Sequence, residues 1–320
     1  MGFSQSDHSD VVVTPYVGRF APSPTGHLHM GSLLAATASY LEARAHSGRW
    51  LLRIEDVDRG RIEVAAADSI VNTLLRFGFE WDGPVLYQST QYAMYSAALS
   101  DLIKDGGVYP CFCSRREIAL HARSGVDGIV YPGTCRLGVT KKRGAHSWRM
   151  RTEDRDYLFL DEIQGWQTQN LARDVGDFVL LRADGCWAYQ LAVVVDDAAS
   201  GVTHVVRGAD LLDSSPRQIA LQQGLNLPSV KYAHIPVLAD LGGEKLSKQN
   251  KAPALQKGKE VWQLWQCLDV LGQQPPVELQ RSDLKSLWLW AFSAWDLAKI
   301  PKKRSVSVTL EQKNEYKILF

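Results

Sequence analysis

Two stretches far apart in the chain carry residue types suited to nucleoside triphosphate chemistry. The first is Pro22-Ser23-Pro24-Thr25-Gly26-His27-Leu28-His29-Met30-Gly31-Ser32. The second is Lys245-Leu246-Ser247-Lys248-Gln249, which follows Gly242-Gly243. A helix beginning near Gly31 would present free N–H groups and a partial positive charge to phosphates. Gly26 and Gly31 leave the backbone open to close approach, and His29 can donate to a phosphate on which charge develops. Lys245 and Lys248 would bring ammonium groups from the opposite side. A grip from two sides suits attack of a carboxylate on the α-phosphorus of ATP, with pyrophosphate leaving. That reaction makes an acyl-adenylate and needs no protein nucleophile, because alignment and charge stabilisation can lower the barrier. Mg²⁺ is expected on the phosphates. Taken singly, the stretches read as a Pro/Gly turn and a lysine-rich surface loop; their order and separation give them the joint meaning.

A second pair concerns an acidic substrate. Such an amino acid needs a guanidinium for its side-chain carboxylate and a carboxylate for its α-ammonium group. Arg19 and Glu55 close two adjacent predicted strands, where open α/β sheets place ligands. The bland alternative is a structural ion pair between the two. Cys111-Phe112-Cys113 with Cys135 forms a third constellation. Thiolates are soft ligands, and a small, weakly apolar insertion gains from a structural zinc ion. His121, Tyr131 and His146 compete for the fourth position, and ligand chemistry alone favours His121.

The elements that must hold these residues alternate in type. Val11 to Ala21 reads as a strand, Gly31 to His46 as a helix and Arg49 to Glu55 as a strand. Val64 to Phe77 and Gln91 to Lys104 follow as helices, with a short strand at Val85 to Gln88 between them. The rhythm breaks at 108–149, which reads as an inserted zinc-binding subdomain. It resumes with a hairpin over Asp177 to Val195, turning at Asp184-Gly185. Next come a strand at Thr203 to Arg207, a helix opened by Ser215-Pro216 and a strand from Ala233 to Leu238. Beyond Pro253 the pattern is helical, at Glu260 to Leu271 and Leu284 to Ala298. The expectation is an α/β, Rossmann-type doubly wound parallel sheet with an inserted zinc-containing subdomain and a C-terminal helical segment. Residues 11–107 and 150–254 would form the two halves of the catalytic domain, and 255–320 the helical segment.

Bulk properties exclude several classes. The chain has 320 residues, 45% hydrophobic and 22% charged, as in ordinary soluble globular proteins. No apolar run approaches the roughly 18–20 residues that span a bilayer, and 1–10 lacks a signal-peptide centre. Met1-Gly2-Phe3-Ser4-Gln5-Ser6 fits a loose myristoylation pattern that short sequences often match by chance. Five cysteines, an odd number, argue for a reducing, cytoplasmic compartment; Cys186 and Cys267 read as buried thiols. A net charge of +1 gives no global pull toward nucleic acid. Lys141-Lys142-Arg143 and Lys299 with Lys302-Lys303-Arg304 read as solvated surface.

The first stretch, with His29-Met30-Gly31-Ser32, resembles the first signature of class I aminoacyl-tRNA synthetases, with Ser32 where a His is usual. Lys245-Leu246-Ser247-Lys248 resembles the second, with Gln249 in place of its final Ser. Arg19-Phe20-Ala21-Pro22-Ser23 and Arg53-Ile54-Glu55-Asp56-Val57-Asp58 resemble the glutamate branch. From Val17 to Ala254 the chain looks most like the glutamyl-queuosine tRNA(Asp) synthetases. The resemblance implies glutamate binding by Arg19, Phe20, Ala21, Pro22, Ser23, Glu55, Tyr189 and Arg207. It implies ATP binding by His29, Gly31 and Lys248, with His29, Lys245 and Lys248 catalytic. It also favours Tyr131 beside Cys111, Cys113 and Cys135 as zinc ligands. The implied activity is RNA-independent formation of glutamyl-adenylate from L-glutamate and ATP, then transfer of glutamate to queuosine at the wobble position of tRNA(Asp). A monomer acting away from membranes is expected. The short stretch after Lys248 is expected to hold a stem-contact segment without an anticodon-reading domain. Competing readings are a minimal glutamyl-tRNA synthetase charging tRNA(Glu), a non-catalytic RNA-binding paralogue and a small-molecule nucleotidylyltransferase. The presence of Lys245, Lys248 and Glu55 disfavours the paralogue.

Overall fold

The computed structural model describes residues 15–320 except positions 59, 61, 64, 127, 140–143, 241, 244, 247–252, 312–314 and 319–320. Strand β1 (Val17–Phe20) leads through the Pro/Gly loop into helix α1 (Met30–Ala45), and the chain returns as β2 (Arg49–Ile54). Strands β1 and β2 pair in parallel, with Arg19 opposite Leu51. Helix α2 (Ala66–Arg76) then leads to β3 (Leu86–Tyr87), which pairs in parallel with β2, and α3 (Tyr92–Lys104) follows.

The 108–149 region holds β4 (Val108–Cys111), α4 (Arg115–His121), a small hairpin of β5 (Arg123–Gly125) and β6 (Gly128–Val130), and β7 (Ser147–Met150). Strands β4 and β7 pair antiparallel. The second half supplies β8 (Asp156–Asp161) hairpinned to β9 (Gly165–Asn170), the short helix α5 (Leu171–Asp174) and β10 (Val179–Leu181). Strand β10 joins the far edge of β7 rather than the main sheet. Helix α6 (Tyr189–Ala199), β11 (His204–Gly208), α7 (Ser215–Gly224), β12 (Lys231–Ile235) and β13 (Val237–Ala239) complete it. Strands β11, β12 and β8 run parallel. Strand β11 lies beside β1, where the Thr203 N–H donates to the Val17 carbonyl at 2.9 Å. The loops after β1 and β11 therefore open at one end of the sheet, where ligands bind in doubly wound folds.

Helix α1 has 11 of its 16 residues buried, so it is covered on every side rather than along one stripe. The strands flank it on one side; α8 (Glu260–Val270) and α9 (Leu284–Ala294) flank it on the other. Cys267 Sγ reaches Met30 Sδ at 3.3 Å, and Trp288 Nε1 donates to the Phe77 carbonyl at 2.8 Å. The C-terminal helices thus share the core beneath the first motif.

The structure departs from the sequence expectations in three places. The turn at Asp184-Gly185 is present, and Leu181 bridges Trp187, but the following apolar run is helix α6 rather than a second strand. Leu191 to Asp197 is buried throughout, and a fully buried run has no periodicity with which to separate strand from helix. Cys186 is half-buried rather than buried. After α9 the chain continues as β14 (Ser305–Glu311), parallel to β13, and β15 (Glu315–Ile318), antiparallel to β14. The alternation Val306, Val308, Leu310 carries that period-two signal. The N-terminal myristoylation pattern, the run 141–143 and residues 247–249 of the lysine motif lie outside the described residues.

Candidate active site

A cavity of about 910 Å³ opens at the carboxyl ends of β1, β2 and β11. The segment Arg19, Phe20, Ala21, Pro22 and Ser23 lines it along the exit of β1. His29 and Gly31 line it from the start of α1, Glu55 from the end of β2, and Tyr189 from the start of α6. Arg207 and Lys245 also line it. The Arg207 side enters on β11, which binds the second half of the chain to the first.

His29 is the N-cap of α1. Its Nδ1 accepts the Ser32 N–H at 3.4 Å, so the ring proton resides on Nε2. A Cβ at Gly31 would lie 3.1 and 3.2 Å from atoms of the His29 ring. Gly31 therefore makes room first for the imidazole, a closer constraint than room for a nucleotide. Gly26 has φ +120°, a conformation that favours glycine, and a Cβ there would meet the Glu63 carboxylate at 3.3 Å. His27, exposed, bonds Ser69 Oγ at 2.7 Å.

Arg19 and Glu55 flank the cavity but do not pair with one another. Arg19 Nε donates to Asp197 at 3.2 Å, Arg53 Nη1 reaches the same carboxylate at 2.5 Å, and Arg53 Nη2 meets Glu55 at 3.2 Å. The direct Arg19–Glu55 ion pair is thus replaced by a relay through Asp197 and Arg53. Asp196 and Asp197 are buried residues at the end of α6. Burial raises the Asp197 carboxyl, but Arg19 and Arg53 overcome it and hold it below the usual carboxylate range. At Glu55 burial wins, and the carboxyl is raised despite Arg53 and Arg19. An ammonium group arriving in the cavity would favour its ionised form.

Arg207 is 5% exposed. Its Nε donates to His234 Nε2 at 2.9 Å, Nη1 to Tyr189 Oη at 3.4 Å, and Nη2 to Ser215 Oγ at 3.0 Å. Burial raises the Tyr189 hydroxyl, so it stays protonated beside the guanidinium. Lys245 pairs with the Asp210 carboxylate. Gly208 permits this arrangement, since a Cβ there would collide with Asp210 Oδ1 at 2.4 Å. Lys248 is outside the described residues, but both flanks of its segment are anchored, one on β13 and the other at the first motif. Lys245 bridges Ala239, Ala254 bridges His29, and the Leu255 N–H donates to the Leu28 carbonyl at 2.9 Å.

Arg53, Asp196, Asp197, Asp161 and His234 were not singled out as site residues from the sequence. The available signal was a charge set into an apolar run: Asp196-Asp197 directly after Leu191 to Val195, and His234 between Ala233 and Ile235. Buried charges of this kind require partners.

The cysteine constellation lies at a distance in the chain, on β4 and the loop after β6. The Cys111, Cys113 and Cys135 sulfurs fall within 4.8 Å of one another. Tyr131 Oη lies 3.3 Å from Cys111 Sγ and 3.5 Å from Cys113 Sγ. Zn–S bonds of about 2.3 Å in a tetrahedron need sulfurs roughly this close, so the donor set fits a zinc ion. Neither His121 nor His146 joins the cluster; His146 packs on Phe112 and Trp148. Burial opposes ionisation of Cys111, yet Tyr131, the Cys113 N–H and Arg149 lower its thiol below the ordinary range.

Comparison with known proteins agrees with this geometry. Over residues 16–264 the chain matches the family described as tRNA synthetases class I (E and Q), catalytic domain. It is 54% identical over 286 residues to a glutamyl-Q tRNA(Asp) synthetase of Chromobacterium violaceum, covering 89% of this chain and 95% of that one. The corresponding protein of Aromatoleum aromaticum is 52% identical over 294 residues, covering 92% and 93%. In fold the chain resembles the glutamate-tRNA synthetase of Elizabethkingia anophelis, with a TM-score of 0.74 at 22% identity over 90% of this chain and 67% of that one. A cavity joining the two signature motifs on this fold, with relatives of that identity along nearly the whole chain, places it in the glutamyl-Q tRNA(Asp) synthetase family of class I ligases.

Proposed function

We propose that the chain activates L-glutamate with ATP in the absence of RNA, then transfers the glutamate to queuosine at the wobble position of tRNA(Asp). Arg207, supported by Tyr189, receives the side-chain carboxylate, and Glu55 receives the α-ammonium group. Arg19, through the guanidinium edge not committed to Asp197, and the backbone of Phe20, Ala21, Pro22 and Ser23 complete the seat. So held, the α-carboxylate attacks the α-phosphorus of ATP, and the bond to the β-phosphate oxygen breaks as pyrophosphate leaves. Gly31 and the N-terminal turn of α1 face the phosphates. His29 donates from Nε2 to the phosphoryl oxygens, and Lys245 and Lys248 neutralise charge on the departing group. Mg²⁺ on ATP would add charge neutralisation there. A hydroxyl of the queuosine cyclopentene ring then attacks the glutamyl carbonyl, and AMP departs.

Cys111, Cys113, Tyr131 and Cys135 would hold zinc as a structural staple. The reading includes a monomer in the cytoplasm, and the five free thiols suit a reducing compartment; no described helix is long and apolar enough to cross a membrane.

The observation that carries the proposal is one cavity joining an arginine–tyrosine carboxylate seat to the His29 end of α1. Mapping radiolabelled glutamate on tRNA(Asp), with and without queuosine, tests it. The expected label sits in the anticodon loop and only on queuosine-containing tRNA. Label on the 3′-terminal ribose would instead support a minimal glutamyl-tRNA synthetase.

A further inference from the structure

Arg207 differs from the other buried arginines of the site in what surrounds its charge. Arg19 and Arg53 share the Asp197 carboxylate. Arg207 has no ion pair among the described residues; its Nε–H is taken by the neutral acceptor His234 Nε2 at 2.9 Å. Its Nη atoms meet only uncharged partners: Tyr189 Oη, the Leu211 carbonyl and Ser215 Oγ.

Three adjacent parallel strands build this arrangement. Arg207 on β11 stands in register with His234 on β12, and β12 is paired to β8, which ends at Asp161. Asp161 Oδ2 lies 2.6 Å from His234 Nδ1. Its Oδ1 accepts the N–H groups of Ile163, Gln164 and His234 at 3.1, 2.8 and 3.1 Å. The Asp161 and His234 side chains are both 0% exposed. An ionised carboxylate only accepts, so the imidazole proton sits on Nδ1 and the Nε2 lone pair points at Arg207. Burial, aided by Arg207 and opposed by Asp161, lowers the imidazole pKa to about 4, in keeping with a neutral ring. A carboxylate in the place of His234 would hold the guanidinium equally well but would cancel its charge; a neutral imidazole holds it and leaves the charge for an incoming anion.

We propose that His234, held in one tautomer by Asp161, is a positioning residue that aims Arg207 and preserves its charge, and so sets the preference for an acidic over an amide side chain. This rests on the reading of the cavity as the glutamate seat. The test measures pyrophosphate exchange with glutamate and with glutamine for the wild-type chain, His234→Ala and His234→Gln. Glutamine at 234 offers Arg207 a neutral acceptor and Asp161 a donor. His234→Ala should raise the KM for glutamate at least about tenfold, shift the KM for ATP less than about twofold, and reduce glutamate-over-glutamine discrimination by a similar tenfold factor. His234→Gln should recover most of both losses. If His234→Ala is poorly folded, His234→Asn, which offers Asp161 a donor but falls short of Arg207, takes its place with the same expected losses. Unchanged discrimination, or equal rises in both KM values without rescue by glutamine, overturns the proposal while leaving the glutamate seat intact. A wild-type chain that shows no glutamate-dependent exchange overturns both.

Discussion

Arg19, Arg53 and Arg207 set three guanidinium groups in or under one cavity, yet among the described residues only the first two meet carboxylates of the chain itself. That asymmetry supports the proposed role of Arg207 as the seat of the substrate carboxylate. Arg207→Ala removes charge-assisted hydrogen bonds worth about 1.5–3 kcal/mol, so the KM for glutamate should rise about 10–100-fold. The KM for ATP should stay within about twofold, and steady-state kinetics with each substrate varied separates the two. Equal effects on both would make Arg207 structural. Lys248→Ala should lower glutamate-dependent exchange by about 10²–10³ or more without altering the far-ultraviolet circular dichroism. The residues that line the cavity were legible where they sit in short contiguous motifs: Arg19 and Glu55 at strand ends, His29 at a helix start. Those that hold them in place were not. Asp197 meets Arg19 across 178 positions, and Asp161 meets His234 across 73; pairing at such separations follows from how helices and strands pack in space, which no local pattern states.

At the scale of elements, α1 and the strands beside it could be read from periodicity and turn residues; α6 could not, and β14 shows its alternation but not its partner. Leu191 to Asp197 gives no alternation because every residue is covered. The strand Ser305–Glu311 follows a Trp-rich helix and pairs with β13 more than 60 residues earlier, so its partner was out of view. The role of α8 is likewise tertiary: Leu264 and Leu268 are 0% exposed and belong to the core around α1. Leu264→Ala should cost about 2–5 kcal/mol in denaturant unfolding, the usual range for a cavity left in a packed core. Because α8 supports the helix that begins at His29, activity should fall with stability rather than ahead of it. The Cys111, Cys113, Cys135 cluster predicts about one zinc ion per chain by elemental analysis. Cys113→Ser should lower both the zinc content and the melting temperature. A fully folded, metal-free wild-type preparation would rule out a structural metal there.

For the whole molecule, the site joins two halves of the chain, so pH acts on stability and binding together. His234 titrates at 6.5 when unconstrained and at about 4 in the fold. The unfolded chain therefore takes up this proton first, and the folded state loses ground as pH falls from about 6.5 to 4. Above 6.5 the contribution is complete; the difference amounts to about 3 kcal/mol by linkage. His234→Gln should make that limb shallower in chemical unfolding followed from pH 7 to 4, while His204, which burial also lowers to about 4, keeps its own share. Asp161 and Asp197, whose carboxyls are held below the usual range, carry further loss in stronger acid. The account as a whole turns on glutamate meeting ATP in the cavity with no nucleic acid present. Pyrophosphate exchange by the purified chain, with L-glutamate as the sole amino acid and all RNA removed, tests this most directly. Robust exchange with glutamate and little with glutamine is predicted. Exchange that appears only when tRNA is added, or that proceeds equally with glutamine, would contradict the assignment.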